Sequence, residues 1–117
     1  MSLDDIARLA FEFSNNLKEG RFENAHEQLT QANKLVWSAN TLQQQYEDMI
    51  SYGEGPAEDI NVELTDTMED WLQEKREDDI GWVYVSIVGE LFSEAVALIY
   101  TNEGGVPKIR TIEWGRP

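Results

Sequence analysis

The chain has no cysteine and a single histidine among its 117 residues. Without cysteine there can be no disulfide, no thiolate metal ligand and no cysteine nucleophile, and the composition fits a reducing compartment. His26 has no second imidazole to share a metal or a proton relay, so only carboxylates could assist it. Neither a metal nor a cofactor is expected. Basic residues are scarce as well: 9 Lys and Arg stand against 23 Asp and Glu, a formal net charge of -14. Nucleic acid and anionic membranes are poor partners for such a chain, because phosphates would be repelled instead of exchanging counterions for lysines and arginines. No apolar run approaches the roughly 20 residues that a helix needs to cross a bilayer. The opening Met1-Ser2-Leu3-Asp4-Asp5 lacks the basic and apolar regions of a signal peptide, so a cytoplasmic location is expected. Gly-x-Ser-x-Gly elbows, phosphate-cradling glycine loops, His-Glu-x-x-His helices and Asp-x-Asp-x-Asp-Gly calcium loops are all missing.

What is present points to one folded domain, residues 1–117, with 41% apolar content to build a core. From Asp79 to Trp114 the sequence reads as three consecutive strands. Gly81–Val88 is β-branched and aromatic, Ser93–Tyr100 is a second apolar run and Lys108–Trp114 a third, with turns at Gly89-Glu90 and Asn102–Gly105. Ile60, Val62 and Leu64 alternate with polar residues, the pattern of a further strand with one wet face. Residues 66–79 fit either a helix or a continuing, bulged strand with a charged turn, and the hairpin gives the shorter connection to Ile80.

The first half is helical. Leu3, Ile6, Ala10, Phe13 and Leu17 form one stripe of a helix over 2–19 that stops at Gly20, and Phe22, Ala25 and Leu29 continue the period in a short second helix. Leu35, Val36 and Trp37 suit a brief strand or a helical turn tucked under the sheet. Asn40 or Thr41 can cap a third helix carrying Leu42, Tyr46, Met49 and Ile50. Gly53–Pro56 separates the halves. The fold class expected is therefore α+β: three N-terminal helices in the concave face of a curved, mostly antiparallel sheet of four to five strands. In the strand over 81–88, Trp82, Tyr84, Ser86 and Val88 face one way and Val83, Val85 and Ile87 the other. Helices can cover only one of these apolar faces, so a second copy of the chain packing sheet to sheet is expected on the other.

Residues 17–25, Leu17-Lys18-Glu19-Gly20-Arg21-Phe22-Glu23-Asn24-Ala25, and the closing Lys108–Gly115 resemble the first helix junction and the last strand of the nuclear-transport-factor-two-like, or cystatin-like cone, superfamily. The resemblance implies a sheet wrapped around the first helix, a pocket at the open end of the cone and frequent homodimers. Enzymatic members are ketosteroid isomerases, dehydratases and polyketide cyclases with Asp, His or Tyr in the pocket; others bind protein partners, small immunity proteins among them.

His26 is readable as a packing histidine or as a general base, and Asp66 or Asp70 could sit near a pocket mouth. Trp37, Tyr46, Trp82, Tyr84 and Trp114 suit core and dimer contacts, or the walls of a pocket for a flat apolar ligand. Between Glu54 and Asp79 there are 11 acids against 2 bases, which resists strand-to-strand aggregation. The functional expectation is a non-catalytic binding domain that takes a basic protein partner on its acidic surface or a small apolar ligand in the cone. The alternatives are an isomerase, dehydratase or cyclase using His26 or an aspartate, and an immunity protein against a basic toxin.

Overall fold

Helix α1, Leu3–Lys18, buries Ile6, Ala10, Phe13 and Leu17 along one stripe, which is why this spacing forms a helix at all. It ends in a Schellman turn. Gly20 takes φ +79, Arg21 N–H donates to Asn16 O at 2.7 Å and Gly20 N–H to Leu17 O at 3.2 Å, a backbone shape that favours glycine. The computed structural model describes residues 3–51, 57–65, 76–90 and 92–115.

Three further helices follow: α2, Phe22–His26; α3, Gln31–Val36; and α4, Ala39–Ile50. Four strands are seen among the described residues: β1, Ala57–Thr65; β2, Asp79–Gly89; β3, Ser93–Glu103; and β4, Val106–Trp114. They pair in sequence order, β1-β2-β3-β4, and every pair is antiparallel. The helices pack on one face, α1 over β1 and β2 and α4 against β3 and β4, so the class is α+β. That face carries Val83, Val85, Ile87, Val96, Leu98, Tyr100 and Ile109, all buried against Ile6, Phe13, Leu29 and Leu42. The β3–β4 turn is Gly104-Gly105 with φ +63 and +84, both positive as a two-residue primed hairpin requires, and Asn102 Oδ1 accepts the Gly105 N–H at 2.9 Å.

Several expectations are corrected. Among the described residues there are four helices in place of three, because residues 34–36 belong to a short helix capped by Thr30, whose hydroxyl accepts the Asn33 N–H at 3.2 Å. This helix is not tucked under the sheet: Leu35 is 90% exposed and Val36 71%. α2 stops at His26 because Leu29 is drawn into a parallel bridge with Ile109 of β4, and tertiary pairing overrides the helical period there. α4 starts earlier than Asn40, with Ser38 as its cap. The hairpin expected over 66–79 falls mostly outside the described residues.

Opposite the helices, Trp82, Ala97 and Ile99 form a second buried cluster with Tyr84 packed against it. These large β2 and β3 side chains are already buried within one chain.

Candidate functional site

Two irregularities of the sheet place a charged pair. The register shifts between Asp79 and Gly81 where β2 meets β3, leaving Asp79 opposite Thr101. In β4, Ile109 pairs with Tyr100 and Thr111 with Ile99, so Arg110 is the extra residue of a bulge. Its side chain spans β3 and meets the Asp79 carboxylate in a fork, Arg110 Nε donating to Oδ1 and Nη2 to Oδ2, both at 2.7 Å. The side chains are 6% and 0% exposed. Burial pushes the Asp79 pKa up. The hydrogen bonds from Arg110, the Arg76 N–H at 2.7 Å and Thr101, together with the guanidinium charge, outweigh it and hold the carboxyl below its ordinary value. A carboxylate held ionised and paired is a poor proton acceptor; its chemistry here is to anchor the strand ends.

Arg110 of this pair also lines a cleft of about 630 Å³, together with Thr30, Arg76, Glu77, Asp78 and Glu103, with Ala32 of α3 on its wall. The Glu103 carboxylate accepts the Gln31 N–H at 3.1 Å from Oε1 and 3.4 Å from Oε2, tying the start of α3 to the hairpin. Asn33 Nδ2 donates to Ile109 O at 3.0 Å. Polar bonds thus hold α3, which has no buried residue of its own. Ala32, Leu35 and Val36 recur at three- and four-residue spacing and are all exposed, so the apolar stripe of this helix faces water.

Smaller clefts open beside Phe22, Asn24 and Gln43 (about 390 Å³), beside Asp48, Met49 and Trp114 (about 310 Å³), and beside Leu9, Val106 and Lys108 (about 330 Å³). None of the four is lined by His26, which sits at the end of α2, partly buried, with Nε2 enclosed and without a hydrogen-bond partner. Asp66 and Asp70 lie outside the described residues. The aromatic candidates divide between the two faces of the sheet. Trp37, Tyr46 and Trp114 pack into the helix-side core, where Tyr46 tilts against Phe22 at 6.2 Å, while Trp82 and Tyr84 lie on the other side. Of these rings only Trp114 lines one of the four clefts. Among the described residues no group of three or more His, Asp or Glu side chains is placed to hold a metal. No described helix is long and apolar enough to cross a membrane.

The sequence alone assigns no site role to Asp79, Arg110 or Glu103, and it places Leu35 and Val36 under the sheet instead of on the surface. The bulge that delivers Arg110 leaves no mark in its own residue pattern. The α3 stripe did have a signal, since Ala32, Leu35 and Val36 already stand at helical spacing. No protein-family model, curated protein or solved structure matches this chain.

Proposed function

We propose that this chain is a non-catalytic binding domain that engages a protein partner of opposite charge. One observation carries the reading: most of the described basic side chains are engaged within the chain, while many of its acids are exposed. Arg8 pairs with Asp5, Lys18 with Glu19, Lys34 with Glu27 and Arg110 with Asp79. Arg21 Nε donates to Asn16 and Lys108 Nζ to Glu27 O. Glu12, Glu23, Glu47, Asp48, Glu58 and Asp59 are exposed. With a formal net charge of -14 the protein is negative on balance, which steers a basic partner in and repels another acidic one. The same repulsion acts between two copies of this chain.

An immunity protein against a basic toxin is one instance of this reading. The isomerase, dehydratase or cyclase alternative needs His26 or Asp66 as a proton carrier in a pocket, and His26 stands apart from the clefts described above. The superfamily resemblance leaves the choice open, because one fold carries both kinds of member.

Affinity capture from extracts of the source cell, followed by titration of each purified partner at low and high salt, tests the proposal. The expected partner is basic and its affinity falls steeply with salt, as the screening length shrinks from about 10 Å at 0.1 M to about 3 Å at 1 M. A tight partner that is acidic, or one indifferent to salt, would overturn the electrostatic basis.

A further inference from the structure

We infer that the partner docks on α3 and the cleft beside it, through a peptide segment that sets apolar side chains between lysines or arginines. This rests on the binding reading above and names its site.

The first argument is the orientation of α3. A helix of six residues is far too short to hold itself together, and it survives here because Thr30, Glu103 and Ile109 bind its backbone and its Asn33 side chain. Those bonds fix which side faces outward, and that side carries Ala32, Leu35 and Val36. Single exposed apolar residues are ordinary, but three adjoining ones on a rigidly tethered helix make a contiguous patch. The mean character of the chain runs the other way, since its surface is dominated by acids.

The second argument is charge. The patch borders the 630 Å³ cleft through Ala32, and the lining of that cleft bears Glu77, Asp78 and Glu103 against Arg76 and Arg110. Arg110 is already matched by the buried Asp79, so the lining is left with excess negative charge. On α3 itself Lys34 is held by Glu27 at 3.2 Å. An occupant must therefore offer apolar groups to the helix and cations to the cleft. A second copy of this chain offers apolar groups with the wrong charge.

The test uses the full chain and three synthetic peptides of equal length: one with a leucine stripe flanked by lysines, one with those lysines replaced by glutamates, and one with the lysines kept and the leucines replaced by serines. Binding is read by fluorescence anisotropy and by amide chemical-shift mapping. Leu35→Ser/Val36→Ser and Glu77→Lys/Asp78→Lys serve as variants, each checked by thermal melting to be folded. The leucine-lysine peptide should bind with shifts confined to residues 30–37, 76–78 and 101–105. The leucine-serine variant should weaken it at least tenfold, the charge-reversal variant likewise, and the other two peptides should bind at least tenfold more weakly than the first. If lysine-rich peptides bind but the shifts fall elsewhere and Leu35→Ser/Val36→Ser changes nothing, the site is wrong while the acidic-surface reading stands. If no lysine-rich peptide binds, both are overturned. Concentration-dependent shifts at α3 in the absence of peptide would assign the patch to a second copy and overturn the proposed partner.

Discussion

Asp79 and Arg110 face each other across the width of β3, two parallel hydrogen bonds of 2.7 Å joining the start of β2 to the bulge of β4. β2 and β4 are not neighbours in the sheet, so this pair is a brace that reaches across the strand between them. A brace of this kind is expensive to break from one side. Arg110→Ala, which leaves the carboxylate buried and uncompensated, should cost about 3–5 kcal/mol in urea unfolding. Asp79→Leu with Arg110→Met together should cost far less, because no charge is then stranded. A single-variant loss below about 1 kcal/mol would show that water reaches the pair.

The same carboxylate sets an acid limit on stability. Its folded-state pKa is depressed, so its contribution is complete above the unfolded value of about 3.9 and is lost as pH falls through the lower folded value. The stability gap between the natural chain and Asp79→Asn should hold steady near neutrality and close below about pH 4. Urea midpoints measured from pH 7 downward provide the check. A gap that persists unchanged into strong acid would contradict the assignment.

Tyr100 sets the opposite limit. Its hydroxyl donates to Gln28 Oε1 at 3.1 Å, and burial first, then the charge of Glu12, pushes its pKa well above the ordinary phenol value. A raised folded pKa means the contribution is complete below about pH 10 and is lost as pH rises through the folded value. Alkaline titration at the tyrosinate absorbance band should show Tyr100 ionising only together with unfolding, and Tyr100→Phe should remove that step.

In the β3–β4 hairpin, Gly104 and Gly105 both have positive φ. Gly105→Val should cost about 1–2 kcal/mol, the penalty for a side chain in left-handed backbone. Gly104→Asn, a residue that tolerates this conformation, should be nearly neutral. Equal losses for the two variants would argue for a different turn.

Gly89 is closed by packing, not by backbone shape. A Cβ there would collide with the ring of Phe92, itself only 5% exposed. Gly89→Ala should therefore cost about 1–3 kcal/mol, and Phe92→Leu should relieve part of that loss in the double variant. Strictly additive losses would mean that the ring simply turns aside.

These features divide sharply in how far the sequence revealed them. The strands were legible because Val83, Val85 and Ile87 alternate with a continuous aromatic and β-branched background, and α1 because Ile6, Ala10, Phe13 and Leu17 keep the helical period. The end of α2 was hidden: Leu29 has the right spacing to continue a helix, and only Ile109, far along the chain, decides that it bridges to β4. The charged brace was hidden for the same reason, since a bulge is a relation between two strands and Arg110 looks like any other polar residue of an edge strand. Leu35 and Val36 were visible, but apolar residues are read as core by default, and here the polar tethers of α3 turn them outward.

The tie between Lys108 and Glu27, 81 positions apart, belongs with the Leu29–Ile109 bridge to a seam that fastens the first third of the chain to its last strand. During synthesis that seam cannot close until Lys108, 81 positions after Glu27, has been made. The helices that emerge first stay without this partner until then, so the slow closure of a long loop is built into the topology.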